Sequence, residues 1–168
     1  MAEKLICAVC GIESSNKLFS SMATSTLFFE RLRNADYCPK CAVQVKLSIA
    51  NSIITTTTNS ISGYIIESYL GVESVEVVLG TGVISESISE VSDFFGTRST
   101  VFETKLQQAK KIALNKIKLL ADSLGGNAIV GMDIDYTEFT GNRIGVIING
   151  TVVKVIKDYN DERILHTF

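Results

Sequence analysis

The sequence feature that most restricts how this chain can fold is a pair of CxxC motifs in its first quarter. Cys7 and Cys10 have two residues between them and are followed by Gly11, and Cys38 and Cys41 repeat the spacing. The chain has no other cysteine. A CxxC turn presents two thiolates to one ion, and four thiolates complete the tetrahedral ligand set of a closed zinc site. We therefore predict one structural Zn²⁺ held by all four cysteines.

The 27 residues between the two motifs are more than the usual spacing, but a zinc ribbon with a longer insert accommodates them. The insert contains apolar side chains that are expected to cover the site, namely Leu27, Phe28, Phe29 and Leu32. We expect residues 1–50 to form a zinc-ribbon-like module. The alternative is two separate thiol pairs in redox use, as in a thioredoxin motif.

A composition change near residues 46–52 separates this module from a larger domain. We predict that the larger domain covers residues 52–157 and that residues 158–168 form a polar tail. About 105 residues is an ordinary size for one domain. The chain is therefore predicted to have two folded parts, the cysteine module and the larger domain.

The larger domain alternates strand patterns with one strong helix pattern. Apolar residues at three- and four-residue steps predict a helix over 101–124, started by a Thr100–Glu103 capping box and ended by Gly125-Gly126. The apolar stripe consists of Leu106, Ala109, Ile112, Ala113, Ile117, Leu120 and Leu124. The strands are expected at 53–58, from Tyr64, and at 72–79, 128–139 and 143–156, with Asn149-Gly150 a hairpin turn or a bulge. This order predicts an α+β fold, a small, mostly antiparallel sheet with one long helix packed on it.

Several segments of this domain together resemble one family. They are "ISGYIIES", "VEVVLGT", "FFGTRSTVFETKLQQAKKIAL", "ADSLGGNAIVGMDIDY" and "INGTVVKV". In this order and at this spacing they resemble the YbjQ-like heavy-metal-binding family over residues 53–156. The resemblance implies a small α+β fold, assembly as a ring-shaped homopentamer and no established biochemical activity. The N-terminal cysteine module departs from short members of the family, which consist of the domain alone.

Charge and hydropathy exclude some classes of function. Residues 1–50 carry six Lys or Arg against four Asp or Glu, and the remainder carries ten against fourteen. Neither part forms the basic field that drives nucleic-acid binding, so a nucleic-acid partner has no support from charge. No apolar run is long enough to span a membrane, and we expect a cytoplasmic protein with reduced cysteines.

A metal site in the larger domain would need oxygen ligands, because residues 53–156 contain neither cysteine nor histidine. Asp133 and Asp135 are two residues apart on a predicted strand, so their carboxylates share one face. With Glu138 they are the candidates for a second site that holds a hard cation. The alternative is that these carboxylates only face water.

Other motifs give no catalytic constellation. Gly80-x-Gly82 lacks the rest of a phosphate-binding motif and indicates a turn, and His166 is expected on the surface. Arg98, ahead of the predicted helix, is either an anion ligand or a loop arginine.

We therefore expect a protein that is not an enzyme. It is either a metal-binding homo-oligomer or a ring-shaped scaffold that presents its zinc ribbons to a protein or nucleic-acid partner.

Overall fold

The computed structural model describes residues 4–15, 30–79, 97–139 and 143–159. The chain divides into two compact units, Met1–Asn51 and Ser52–Phe168. We name them the cysteine unit and the sheet unit. Three of the predicted features lie outside the described residues. They are the cover formed by Leu27, Phe28 and Phe29, the Gly80-x-Gly82 turn, and the tail from residue 160 onward, which includes His166.

Among its described residues, the cysteine unit contains two short antiparallel hairpins. Strand β1 (Lys4–Ile6) pairs with β2 (Glu13–Ser15), and β3 (Glu30–Leu32) pairs with β4 (Ala35–Tyr37). The second hairpin turns at Arg33 and Asn34, which both have positive φ, the signature of a type I′ turn. This turn type twists in the same sense as the strands and keeps them in register.

A helix that the sequence pattern did not predict follows the second hairpin. Helix α1 (Pro39–Ser52) begins with proline, which suits the first helical position because the missing N–H would be unpaired there anyway. Its apolar residues include Val43, Val45 and Leu47 at steps of two, which hides the helical period. Only Ala42, Ile49 and Ala50 are buried among the helix's apolar residues that the structure describes.

In the part of the chain that the structure describes, the sheet unit has four strands in the order β5-β7-β8-β6. The strands are β5 (Ile54–Thr55), β6 (Tyr64–Leu79), β7 (Ala128–Phe139) and β8 (Arg143–Lys157). Strand β8 lies antiparallel between β6 and β7, whereas β5 pairs in parallel with β7. The predicted α+β fold is thus confirmed, with one parallel pair in the sheet.

The strand predicted at 53–58 is shorter in the structure. Beyond Thr55 the backbone still bonds β7, since the Thr56 amide donates to the Ile129 carbonyl over 3.0 Å and the Gly131 amide donates to the Thr58 carbonyl over 2.8 Å. The Thr58 amide, however, donates to Thr56 Oγ1 over 3.1 Å and not to a neighbouring strand. Such side-chain bonds compete with a sheet ladder. The two strands predicted from Tyr64 and at 72–79 form one continuous strand, β6.

Helix α2 (Thr97–Ser123) packs on one face of the sheet. Ala109, Ala113, Ile117 and Ala121 form its fully buried stripe. Opposite them lie the buried sheet residues Val75, Val77, Ile129, Val146, Ile148 and Val152. Small alanines allow the helix backbone to approach the sheet closely, which gives this core its density.

The sequence prediction is wrong for the start of α2 and correct for its C-terminal cap. The predicted capping box at Thr100 is wrong, because the helix already begins at Thr97. Residues 97–99 are polar and have no apolar period, so the sequence pattern does not show that they are helical. The C-terminal glycine cap is confirmed. Gly125 has φ +82, its amide donates to the Asp122 carbonyl, and the Gly126 amide donates to the Ala121 carbonyl, each over 2.9 Å. These two bonds define a Schellman motif.

Asn149-Gly150 is not a hairpin turn, because β8 continues through both residues. A bulge does lie here, but the extra residue belongs to β7, between Val130 and Asp133. Gly131 takes the left-handed conformation that such a bulge requires, with φ +59. A Cβ on Gly150 would lie 2.5 Å from Ile129 Cγ2, so only glycine fits opposite the bulge.

The opposite face of the sheet carries a second, smaller apolar cluster. Ala128, Val130, Val153 and Val155 are buried there, and side chains from residues 54–66 partly cover them. Farther along the same face, Tyr69 and Val72 are 70% and 78% exposed. This face is therefore covered at one end and open at the other.

Asn127 joins the helix cap to the sheet through its side-chain amide. Asn127 Nδ2 donates to the Val155 carbonyl over 2.9 Å, and the Val155 amide donates to Asn127 Oδ1 over 2.7 Å. The side chain thus pairs with β8 as another strand residue would.

Replacing Asn127 by alanine is expected to lower the free energy of unfolding of the sheet unit by about 2 kcal/mol, because two polar groups of buried Val155 lose their partners. Asn127→Asp keeps the acceptor and is the matched control, with a smaller loss. Urea unfolding followed by circular dichroism measures both. Equal stability of wild type and N127A would contradict this role.

Candidate metal centre

Cys7 and Cys10 are presented by the loop between β1 and β2. The Cys7 amide donates to the Ile12 carbonyl and the Gly11 amide donates to the Cys7 carbonyl, each over 2.9 Å. Gly11 has φ +71, a conformation in which glycine carries least strain. These bonds close the loop that carries the first pair of thiols.

The second pair lies at the start of a helix. The Cys38 carbonyl accepts the first helical hydrogen bond, from the Ala42 amide over 2.8 Å, and Cys41 lies in the first turn of α1. Both thiols of the second motif therefore lie at the N-terminal end of α1. Proline at position 39 is the sequence signal that could have located this helix.

The structure brings all four cysteines together. Their Sγ atoms lie within 4.8 Å of one another, and Cys10 Sγ is 3.7 Å from Cys38 Sγ. Four sulfurs at the usual Zn–S distance of 2.3 Å form a tetrahedron with edges of about 3.8 Å, so the cluster fits one tetrahedral ion with little adjustment. A bond of 2.9 Å from the Ala8 amide to the Asp36 carbonyl holds the loop against β4.

Amide groups favour ionisation of Cys7. Its thiol is buried, which by itself opposes ionisation, but amide hydrogen bonds from Cys10, Cys38 and Val9 outweigh burial and lower the pKa of Cys7 from 9.0 to about 6. The same amides stabilise a metal-bound thiolate. The donation from Cys38 also connects the two motifs.

Cys10 and Cys41 resist ionisation because their thiols share a small space with the other sulfurs. The Ile12 amide favours the Cys10 thiolate, yet proton sharing with Cys7 and Cys38, together with burial, raises the pKa of Cys10. The hydrogen bond with Cys38 is the main cause that raises the pKa of Cys41 to about 12. All four are free thiols. Four adjacent thiolates therefore need a cation to exist together at neutral pH.

Metal uptake is accordingly expected to release protons. At pH 7 to 8 Cys10 and Cys41 are protonated in the metal-free chain, because both pKa values are raised, and each gives up its proton when it becomes a ligand. Affinity should fall as the pH is lowered. Calorimetric titration in buffers of different ionisation enthalpy measures the proton count. Uptake without proton release would show that these thiols are not ligands.

The second predicted metal site lies on the exposed surface of the sheet unit. Asp133 and Asp135 lie on β7 opposite Asn149 and Ile147, on the sheet face away from α2, and both are exposed. In the part of the chain that the structure describes, the four cysteines form the one group of three or more ligand-type side chains that could hold an ion. Metal binding by the aspartates stays a prediction, and the Glu138 side chain lies outside the described residues.

The comparisons with known proteins identify the sheet unit. The family described as "Putative heavy-metal-binding", the YbjQ family, matches residues 53–156. This confirms the resemblance found in the sequence. The chain belongs to this family.

The curated relatives correspond to the sheet unit alone. A "UPF0145 protein" of Geobacillus thermodenitrificans is 37% identical over 103 residues, which are 61% of this chain and 99% of that relative. One from Anoxybacillus flavithermus is 38% identical, over 61% of this chain and 98% of its own length. Since the alignments use almost the whole of these relatives, the cysteine unit is an addition to what the family domain provides.

A solved structure of a protein of unknown function from Pediococcus pentosaceus is 22% identical and covers 62% of this chain and 98% of its own, with a TM-score of 0.35. This TM-score gives no independent support for the fold.

The matched region and the cysteine cluster do not overlap. Residues 53–156 contain no cysteine or histidine, so the thiolate ligands that soft metals prefer all lie outside them. No helix among the described residues is long and apolar enough to cross a membrane.

Proposed function

We propose that this chain is a non-enzymatic metal-binding protein, with one zinc ion held by Cys7, Cys10, Cys38 and Cys41. The observation that carries the proposal is the meeting of four Sγ atoms from two distant CxxC motifs within 4.8 Å. Four thiolates leave no coordination position for a substrate, so the ion has a structural task. Zinc suits this ligand set because it prefers tetrahedral sulfur coordination and undergoes no redox change.

Elemental analysis of untagged protein tests this directly, and we expect one zinc ion per chain. Asp133→Asn serves as a matched variant, because it removes a carboxylate of the second predicted site and leaves the cysteines intact. If zinc content stays at one ion in both proteins, the cysteines hold the metal. A second ion that D133N loses would support the carboxylate site, and absence of metal from freshly purified protein would refute the proposal.

We propose further that several chains associate through their sheet units. Tyr69, Val72 and Val78 are 70%, 78% and 53% exposed on the face away from α2, and exposed apolar patches mark association surfaces. A ring of five chains would cover this face and display five cysteine units. Val72→Asp is expected to lower the mass measured by light scattering to that of a monomer. An unchanged mass would place the assembly surface elsewhere.

A second candidate function is a scaffold that binds a partner through the cysteine unit. The specific observation is that Ile6, Val9 and Ile12 are half or more exposed around the first CxxC motif. A ring would multiply the affinity of several such patches through avidity. Val9→Asp should then abolish capture of a partner without changing zinc content. Equal capture by wild type and V9D would favour the metal-binding function alone.

A further inference from the structure

The four thiolates of the cluster differ in how they meet solvent. Cys7 and Cys38 are 2% and 6% exposed, Cys41 is half-buried and Cys10 is exposed. In a closed structural site a reagent must approach from the solvent side. Because Cys10 is the most exposed residue of the four, we expect its sulfur to be the one that an oxidant reaches first.

Hydrogen bonding adds to this difference. The Cys7 sulfur accepts amide hydrogen bonds from Val9, Cys10 and Cys38, whereas for Cys10 the donor is Ile12. Each amide withdraws charge from a thiolate and holds its sulfur in place. Cys7 is thus both hidden and restrained, while Cys10 is accessible and less restrained.

We propose that Cys10 is an oxidation site through which hydrogen peroxide, or another peroxide, releases the metal. This inference rests on the proposed function, since it requires that the cluster holds an ion. The partner in the reaction is Cys38, whose Sγ lies 3.7 Å from Cys10 Sγ and belongs to the other CxxC motif. A disulfide between them removes two of the four metal ligands.

The reaction balances without any group from elsewhere in the chain. The Cys10 thiolate attacks one peroxide oxygen, an S–O bond forms, the O–O bond breaks and hydroxide leaves. The Cys38 thiolate then attacks the Cys10 sulfur, the S–S bond forms, the S–O bond breaks and a second hydroxide leaves. The two sulfurs give up two electrons and peroxide is reduced to two hydroxides, which take up protons to form water. Only Cys7 and Cys41 would then remain as ligands, and a bound ion would be released.

The cluster would therefore have two states, one with bound metal and one with a disulfide. With metal, the β1–β2 loop and the start of α1 are joined through an ion. After oxidation the same two segments are joined through a covalent bond that a thiol reductant reverses. Metal content thus reports exposure to oxidant, and the cysteine unit stays cross-linked in both states.

The test uses full-length zinc-loaded protein, hydrogen peroxide and a zinc-sensitive dye. We expect each released ion to accompany one disulfide, and dithiothreitol to restore both free thiols and zinc binding. Trypsin separates the pair, since Cys10 lies with Cys7 in residues 5–17, Cys38 in 34–40 and Cys41 in 41–46. Mass spectrometry without reduction should therefore find 5–17 linked to 34–40, with fragment ions that place the bond at Cys10. Dimedone added with the peroxide should trap sulfenic acid on Cys10 before the other cysteines.

Each outcome decides the inference. A first disulfide at Cys7, a first dimedone adduct on another cysteine, or zinc retained under peroxide that oxidises free cysteine would overturn it while the proposed function stands. Protein that carries no zinc before peroxide is added would instead refute the proposed function itself. The two failures are therefore distinguishable in one experiment.

Discussion

Replacing Cys38 by serine is expected to reduce bound metal from one ion per chain to nearly none and to unfold the cysteine unit. In the described residues of this unit, the buried apolar side chains are Ala42, Ile49, Ala50 and the two cysteines Cys7 and Cys38. Two of these five are metal ligands in the proposed site, so the metal joins the part of the core that the structure describes. In small metal-binding domains the free energy of metal binding contributes directly to the free energy of folding.

The measurement combines elemental analysis with amide hydrogen exchange. In Cys38→Ser, amides of β1, β4 and α1 should lose protection, while those of β7 and β8 keep it. Lys40→Ser is the matched control, because Lys40 is exposed and lies within the same CxxC motif without being a ligand. Retained metal and retained protection in C38S would show that the cluster is not what holds this unit together.

The second large effect is expected at Gly126, where a methyl group has no room. A Cβ there would lie 2.5 Å from Val152 Cγ1, 3.1 Å from the Ala121 carbonyl oxygen and 3.2 Å from the Val153 carbonyl oxygen. The Ala121 oxygen belongs to helix α2 and the Val153 oxygen to strand β8, so neither can move without shifting the core. We expect Gly126→Ala to lower the free energy of unfolding of the sheet unit by about 3 kcal/mol.

The neighbouring glycine provides the matched control. Gly125 has φ +82 but no atom within 4 Å of a Cβ, so Gly125→Ala carries conformational strain alone, about 1 kcal/mol. Urea unfolding of both variants measures the difference. If G126A were no less stable than G125A, close packing of the helix end on β8 would be wrong. Zinc content should be unchanged in both variants, because the cysteines belong to the other unit.

Much of the sheet unit could be read from the sequence, for identifiable physical reasons. Strand β7 was predicted with the bounds that it has, since glycines precede it and its apolar residues then alternate with polar ones. The helix stripe was predicted through Ala109, Ala113 and Ile117, because a 3.6-residue period shows which side is buried. Ile112 and Leu124 were included and are exposed, since period alone does not give the width of the buried face.

Features that depend on contacts between distant residues could not be predicted. The pairing of Asn127 with Val155 joins positions 28 residues apart. The bulge at Gly131 arises from the register of β7 against β8, which a single glycine in the sequence does not reveal. In the cysteine unit the spacing predicts a four-thiol cluster, which the structure assembles. The helix that carries Cys41 was missed because its β-branched residues mask the helical period.

The central claim is that four thiolates bind one zinc ion, and X-ray absorption at the zinc edge of purified full-length protein tests it most directly. We expect one shell of four sulfur atoms at about 2.3 Å and no nitrogen or oxygen ligand. Cys10→Ser should reduce the shell to three sulfurs if the ion is retained. A wild-type shell containing oxygen or nitrogen, or fewer than four sulfurs, would contradict a site built from Cys7, Cys10, Cys38 and Cys41.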